Sequence, residues 1–240
     1  EAAIPVMEGK AMLFKKFAGI NGFPICLDTE DTEEIIRTVR LIAPVFGGIN
    51  LEDIAAPKSF EIEERLQDLG IPVFHDDQHG TAIVVMAGLI NACKVVNKRF
   101  EDLVVVVNGA GAAGVAIAKM LRCINFPGNQ CTSVKEILLC DSRGVIHKGR
   151  NDLNESKLEL LTFSNPHNKV GSVKDALVGA DVFIGVSVAN LLTANDIKKM
   201  NKDAIIFALA NPVPEIVIVN TIAAVNEGFR FCSSWTSPIV

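Results

Sequence analysis

Hydrophobic and polar positions follow two rhythms along this chain. Up to about residue 75, helical and strand-like spacings are mixed. An amphipathic stretch covers Ala11–Ala18, and FPICL (Phe23–Leu27) predicts a short strand. Thr29 or Asp31 is placed to cap a helix with an acidic start, whose Ile35, Ile36, Val39 and Ile42 fall near helical spacing. Pro44 ends it, and Val45–Leu51 reads as a strand. KSFEIEERLQDLG predicts a helix closed by Gly70, and IPVFHDD a strand running into charged residues. From residue 81, buried strands and helices alternate. TAIVVMAGLINACKVV is apolar nearly all round and predicts a largely buried helix. LVVVVNGAGAAGVAIAKMLRCI predicts strand, glycine turn and helix. VKEILLCDSRG, DVFIGVS and AIIFALANP predict strands, with helices at SVKDALVGA and LLTANDIKKM. Short β-branched runs separated by helices predict an α/β fold, a doubly wound parallel sheet preceded by a smaller α/β region.

Composition narrows the function classes. The 240 residues are 49% hydrophobic and 21% charged, which suits a chain with a buried core rather than a disordered one. With 23 basic against 28 acidic residues the net charge is -5, which argues against a nucleic-acid binder. Uninterrupted apolar stretches such as Leu103–Val107 and Ile205–Ala210 are far short of a membrane span. EAAIPVMEGK shows no signal peptide, and it lacks an initiator Met, as a fragment or processed product would. The six cysteines (Cys26, Cys93, Cys123, Cys131, Cys140, Cys232) form no CxxC pair and read as reduced thiols of a cytoplasmic protein. No tyrosine occurs anywhere.

The clearest motif is the glycine turn Gly109, Ala110, Gly111, Ala112, Ala113, Gly114. It follows Val104–Val107 and opens Val115–Leu121, the strand–turn–helix setting in which GxGxxG binds a dinucleotide pyrophosphate. The first glycine serves the tight turn, the second admits backbone to the pyrophosphate, and the third packs helix on strand. The alternative is a turn kept only for packing. The next strand ends at Asp141, whose carboxylate could bind the adenosine ribose hydroxyls with Ser142 and Arg143 beside it in the cofactor site; it lies farther on than the usual ~20 residues, with the FPGNQCTS loop as the surplus. An acid there leans toward NAD, whereas Arg143 and Lys148 could accept the 2′-phosphate of NADP.

Acidic pairs stand where strands end: Glu52 and Asp53 after FGGIN, Asp76 and Asp77 after IPVFH. Clustered carboxylates repel unless a cation joins them, and oxygen ligands suit Mg²⁺ or Mn²⁺. Asp77 can equally be a first-turn acid of the following helix. His75 and His79 flank the acids and read as structural. Lys10 sits in MEGKA at the start of an apolar helix. Partial burial near a metal would depress its pKa and make it a base, while the alternative is a lysine snorkelling to the surface.

In combination, PVMEGKAMLFKKFAGI, FGGINLEDI, PVFHDDQHGTAI, NGAGAAGVAIA, LLCDSRGVI and FALANPVPE resemble the corresponding segments of malic enzymes, particularly the small-subunit bacterial type. The resemblance runs in order from about residue 3 to about 215. It implies a substrate and metal domain in part at residues 1–76, and a Rossmann-like NAD(P)-binding domain at 77–240. It implies oxidation of malate with NAD or NADP and its decarboxylation to pyruvate, dependent on Mg²⁺ or Mn²⁺, in a homodimer. On it, Lys10 is the general base with Asp76 beside it; Glu52, Asp53 and Asp77 are metal ligands; Asn211 contacts substrate. The glycines at 109, 111 and 114 and Asp141 form the cofactor site. The family's tyrosine acid lies upstream of MEGKA, so residues 1–240 alone are expected to turn malate over slowly. GVSVANLLT and the segment 216–240 depart from the family pattern. A silent NAD(P)-binding module is the alternative. Another amino- or hydroxy-acid dehydrogenase would leave HDDQHGTA and FGGINLEDI unexplained.

Overall fold

The computed structural model describes residues 3–124, 131–211, 213–216 and 229–233, the last segment as backbone only. The FPGNQCTS loop and the divergent C-terminal segment therefore lie largely outside the described residues. The chain divides into two compact units, Glu1–Asp77 and Gln78–Val240.

In the first unit, α1 (Ala3–Leu13) leads into a π turn, Phe14–Ala18, closed by Gly19 in the left-handed conformation at φ 69°. The acid-capped helix forms as expected. The Asp31 side chain accepts the Glu34 N–H at 2.9 Å and starts α2 (Thr32–Ile42). Ile35, Ile36 and Val39 turn inward and pack with Ile62 and Leu66 around α3 (Lys58–Arg65). A two-stranded parallel sheet completes the unit, β1 (Ile49–Leu51) on β2 (Val73–His75). Gly70 adopts φ 74° before β2, in the helix-terminating role assigned to it.

Two strand expectations fail here. Residues 23–27 carry no regular structure, because no neighbouring strand offers them a ladder. Phe23 is exposed, its ring tilted against Phe46 at 5.9 Å between centroids. The strand expected over Val45–Leu51 is only three residues long, since Ala43–Val45 form a 3-10 turn and Gly47–Gly48 precede it.

The second unit is built on a six-stranded sheet in the order β5-β4-β3-β6-β7-β8. Its strands are β3 (Val104–Asn108), β4 (Glu136–Asp141), β5 (Gly144–Val145), β6 (Val182–Gly185), β7 (Ala204–Ala208) and β8 (Phe229–Ser233). All pairs are parallel except the β4–β5 hairpin. The chain leaves β3 to one side through β4 and returns to its other side as β6. Ligands bind at such a reversal, outside the carboxyl ends of the central strands. The doubly wound expectation is met. Val105, Val106, Val107, Phe183 and Ile184 are sealed from solvent, as central parallel strands require.

Neither β8, which falls in the divergent FRFCS segment, nor the short helix α6 (Glu155–Leu160) is signalled by the hydrophobic pattern. Helix α4 (Asp76–Val96) starts five residues earlier than the pattern indicated, so Asp76 and Asp77 occupy its first turn. It is long and apolar enough to cross a bilayer, yet Ala82, Val85, Leu89, Ala92 and Cys93 are buried in protein. Gly88 admits Phe207, whose ring would stand 3.1 Å from an added Cβ. Burial is less complete than expected: Ile83, Val84, Ile90 and Val95 are exposed.

The cysteine reading also needs correction. Cys123 and Cys131 form a disulfide. After α5 (Ala112–Leu121) the chain turns at Cys123 with φ 57°, and Val134 N–H returns to Leu121 O at 3.0 Å. That return brings the two cysteines together, and it removes the cysteine argument for a reducing compartment. Cys26, Cys93 and Cys140 are free thiols.

Candidate active site and cofactor site

The parallel register of β1 and β2 places Leu51 opposite His75. Glu52 and Asp53 therefore leave the sheet beside Asp76 and Asp77, at one edge, although more than twenty residues separate the pairs in sequence. Lys10, in the last turn of α1, reaches this edge. Its ammonium bonds to Asp76 Oδ2 and lies 3.1 Å from Glu52 Oε2. Asn50 Nδ2 donates to the same Glu52 oxygen at 3.1 Å. Asp53 adopts φ 55°, a left-handed conformation uncommon outside glycine, and its N–H donates to Asp77 Oδ2 at 3.2 Å. Such backbone strain gathers at functional sites.

His75 is fully buried behind this edge. Its Nε2 stands 3.5 Å from Asp77 Oδ2, and neither ring nitrogen has a hydrogen-bond partner among the described residues. A cavity of about 680 Å³ lies within the unit, and Lys10, Asn50 and Glu52 are among the residues that line it. Phe14, Phe23 and Phe46 are among its apolar walls.

Without a bound cation, burial acts to lower the Lys10 pKa, but bonds to Asp76 and Glu52 outweigh it and raise it above the ordinary 10.5. The carboxylates fit a hard divalent cation in donor type and in sharing one edge. They are not closed into a cage: Glu52 is turned to Lys10, Asp77 to the Asp53 amide, and no metal-holding group of three is formed among the described residues.

The glycine turn joins β3 to α5. Gly109 has φ 121°, and a Cβ there would stand 2.6 Å from Val186 O. A Cβ on Gly114 would meet Gly109 O at 1.7 Å. Gly111 differs: with φ -87° it needs no special freedom, and a Cβ would find nothing within 4 Å. It stands at the start of α5, and no side chain caps the helix there. Two of the glycines are thus required by the fold, while space is open at the third. An uncapped helix start of this kind is suited in general to binding an anion.

Beyond β7, Asn211 is exposed, at the carboxyl end of the strand. Glu215 locks the segments after β6 and β7 together. Fully buried, it accepts Ser187 N–H at 2.9 Å and Ala210 N–H at 3.0 Å, and its carboxyl group fills the space a Cβ on Gly185 would need. Asp141 ends β4, and Ser142 and Arg143 are exposed on the turn to β5. Its carboxylate is gripped by Arg150 and Lys157, 9 and 16 residues on. Neither of those cations belongs to a motif or to a periodic pattern. Glu215 closes the FALANPVPE segment, and nothing in its local pattern signals its buried role.

A parallel sheet with a glycine turn at its reversal point defines a Rossmann-like dinucleotide-binding protein. Comparison with known proteins is more specific. A model of the malic enzyme NAD-binding domain matches residues 78–236, and one of the malic enzyme N-terminal domain matches residues 1–67. The chain belongs to the malic enzyme family. It is 56% identical over 216 residues to the NAD-dependent malic enzyme of Geobacillus stearothermophilus, covering 90% of this chain and 44% of that one. It is 57% identical over 219 residues to the bifunctional malic/malolactic enzyme of Bacillus subtilis, covering 90% and 52%. The crystal structure of the NAD-dependent malic enzyme of Thermotoga maritima superposes with TM-score 0.90 at 47% identity, covering 99% of this chain and 61% of that one. The chain thus spans about half the length of these curated relatives.

Proposed function

We propose that this chain carries the chemistry of malate oxidation and decarboxylation to pyruvate and CO₂, with reduction of NAD or NADP. The observation behind the reading is the Lys10 ammonium clasped between Glu52 and Asp76 at the β1–β2 edge. Residues 1–76 would be the substrate and metal part, and 77–240 the cofactor part. The reading carries with it a homodimeric assembly and a cytoplasmic location, with malate as its small-molecule partner.

Lys10 Nζ would take the proton of the malate C2 hydroxyl while a hydride leaves C2. It can do so only in a state where Glu52 and Asp76 no longer hold it as ammonium, and Asp76 then keeps the amine oriented. A bound nicotinamide would accept the hydride. Mg²⁺ or Mn²⁺ held by Glu52, Asp53 and Asp77 would supply the charge that stabilises the oxygen at C2 as CO₂ departs. Asn211 offers its amide to the substrate. Gly109, Gly111 and Gly114, with the amides of Ala110, Ala112 and Ala113, would receive the pyrophosphate.

The test is malate-dependent reduction of each cofactor with and without Mn²⁺, which should require the metal. In addition, Glu52→Ala and Asp77→Ala should each weaken Mn²⁺ binding by at least the ~10–100-fold that loss of a supporting residue costs. Unchanged Mn²⁺ calorimetry in both variants would remove the carboxylates from the metal site.

A second reading, a dinucleotide-binding module without turnover, draws on the same ion pair, because an ammonium stabilised by two carboxylates is a poor base. Dinucleotide binding without malate-dependent reduction, with Mg²⁺ or Mn²⁺ present and the family's upstream tyrosine segment restored, would favour it.

A further inference from the structure

Glu215 is the most deeply buried acid among the described residues. A carboxyl group is costly to bury unless its oxygens are bonded, and here each holds a different segment. Oε1 accepts Ser187 N–H at 2.9 Å, after β6, and Oε2 accepts Ala210 N–H at 3.0 Å, after β7. Gly185, the last residue of β6, makes room for the group, since a Cβ there would overlap the carboxyl atoms. Backbone bonds join the same two segments: Asn190 N–H donates to Pro214 O at 3.1 Å and Leu192 N–H to Glu215 O at 3.0 Å.

Ser187 is tied onward to β3. Asn108 Nδ2 donates to Ser187 Oγ, and Val186 N–H donates to Asn108 O at 2.9 Å. Asn108 immediately precedes Gly109 of the glycine turn. Glu215 therefore closes a chain of bonds across the carboxyl ends of β3, β6 and β7, which are neighbours in the sheet. Ligands of parallel α/β sheets bind outside those ends. The residue type suits the bridge. A carboxylate accepts on both oxygens, whereas a glutamine would turn its NH₂ toward one of the two N–H donors. An aspartate is one methylene shorter and cannot span both. Asn211 follows Ala210 directly and is exposed, so its backbone is anchored one residue away while its amide stays free to meet a ligand.

We infer that Glu215 is a positioning residue for the malate reaction, fixing Asn211 by bonding Ala210 to Ser187. The inference rests on the proposed substrate contact of Asn211 and adds what holds that residue in place. Glu215 itself touches no substrate in this account; it acts through its neighbour.

A double-mutant cycle tests it. The constants kcat and KM for malate, with cofactor and Mn²⁺ saturating and the upstream tyrosine segment in place, are compared in wild type, Glu215→Gln, Asn211→Ala and the double variant. Glu215→Gln should lower kcat/KM by about 10²-fold, the cost of a misplacement of ~1 Å. In the Asn211→Ala background the same change should cost no more than about twofold, because the residue it positions is gone. If Glu215→Gln shows no cooperative melt, Glu215→Asp takes its place in the cycle with the same expectation. Losses that multiply in the double variant would overturn the inference and leave the substrate contact of Asn211 standing. So would a Glu215→Gln protein whose melting temperature falls while kcat/KM stays at the wild-type value. Wild-type kinetics in Asn211→Ala would overturn both.

Discussion

Replacing Lys10 with Met is expected to lower malate-dependent reduction of NAD(P) by about 10²–10⁴-fold, the usual contribution of a general base. The informative companion is Lys10→Arg. A guanidinium keeps the charge and can still bond Glu52 and Asp76, but it does not give up its proton. Arg should therefore restore stability and fail to restore turnover. Met should lose both, since Glu52, whose side chain is only 8% exposed, would be left without its cation. The sign with pH follows from the raised Lys10 pKa. The ion pair's contribution to stability is complete below the ordinary 10.5 and is lost as pH rises through the higher folded value. Urea unfolding of the three proteins at pH 7, with rates measured in parallel, separates the two roles. Activity in Lys10→Arg equal to wild type would show that Lys10 is only a structural cation.

The second large effect concerns the glycine turn, where position decides between folding and binding. Gly114→Ala would bring a Cβ to 1.7 Å from Gly109 O, a distance no relaxation of a side chain can relieve. Loss of the native turn and a marked fall in unfolding midpoint are expected. Gly111→Ala meets nothing within 4 Å at an ordinary φ of -87°, so stability should stay within about 1 kcal/mol of wild type. If the glycine turn holds the pyrophosphate as proposed, its methyl would occupy the open space beside the helix start that the ligand needs. Losing two N–H bonds to a phosphate, at about 1.5–3 kcal/mol each, is about 10²-fold or more in affinity. Fluorescence or calorimetric titration with NAD, alongside thermal melts, reads both quantities. A Gly111→Ala protein that binds NAD as wild type would mean that the open space is not the ligand's.

The sequence exposed those parts of the structure that are governed by short-range rules. The β3–glycine–α5 unit shows itself through β-branched residues followed by glycines whose spacing the turn dictates. The α2 start shows itself because Asp31 caps its own helix. Lys10, Glu52 and Asp76 could be tied to one site only through a family resemblance, since nothing in their local patterns says that β1 and β2 pair in parallel. The residues that saturate Asp141 were hidden for a related reason. Arg150 and Lys157 act through loop geometry, and an arginine in a loop looks the same whether it is solvated or locked to a buried acid. The failed strand at residues 23–27 is the converse case. Its apolar run has strand composition, but a strand needs a neighbour, and composition does not say whether one exists.

The carboxyl edge in the first unit is made by only three paired residues on each side, with Leu51 set opposite His75. Register, more than loop length, therefore fixes where the acids emerge. The exposed loop positions on either side of α3 can gain or lose residues over evolutionary time without moving them, whereas α3 itself is held by Ile62 in the core. A one-residue slip of β1 along β2 would invert its faces and scatter the acids. Variation within such proteins should thus fall on insertions between the strands, while their few paired positions admit almost none.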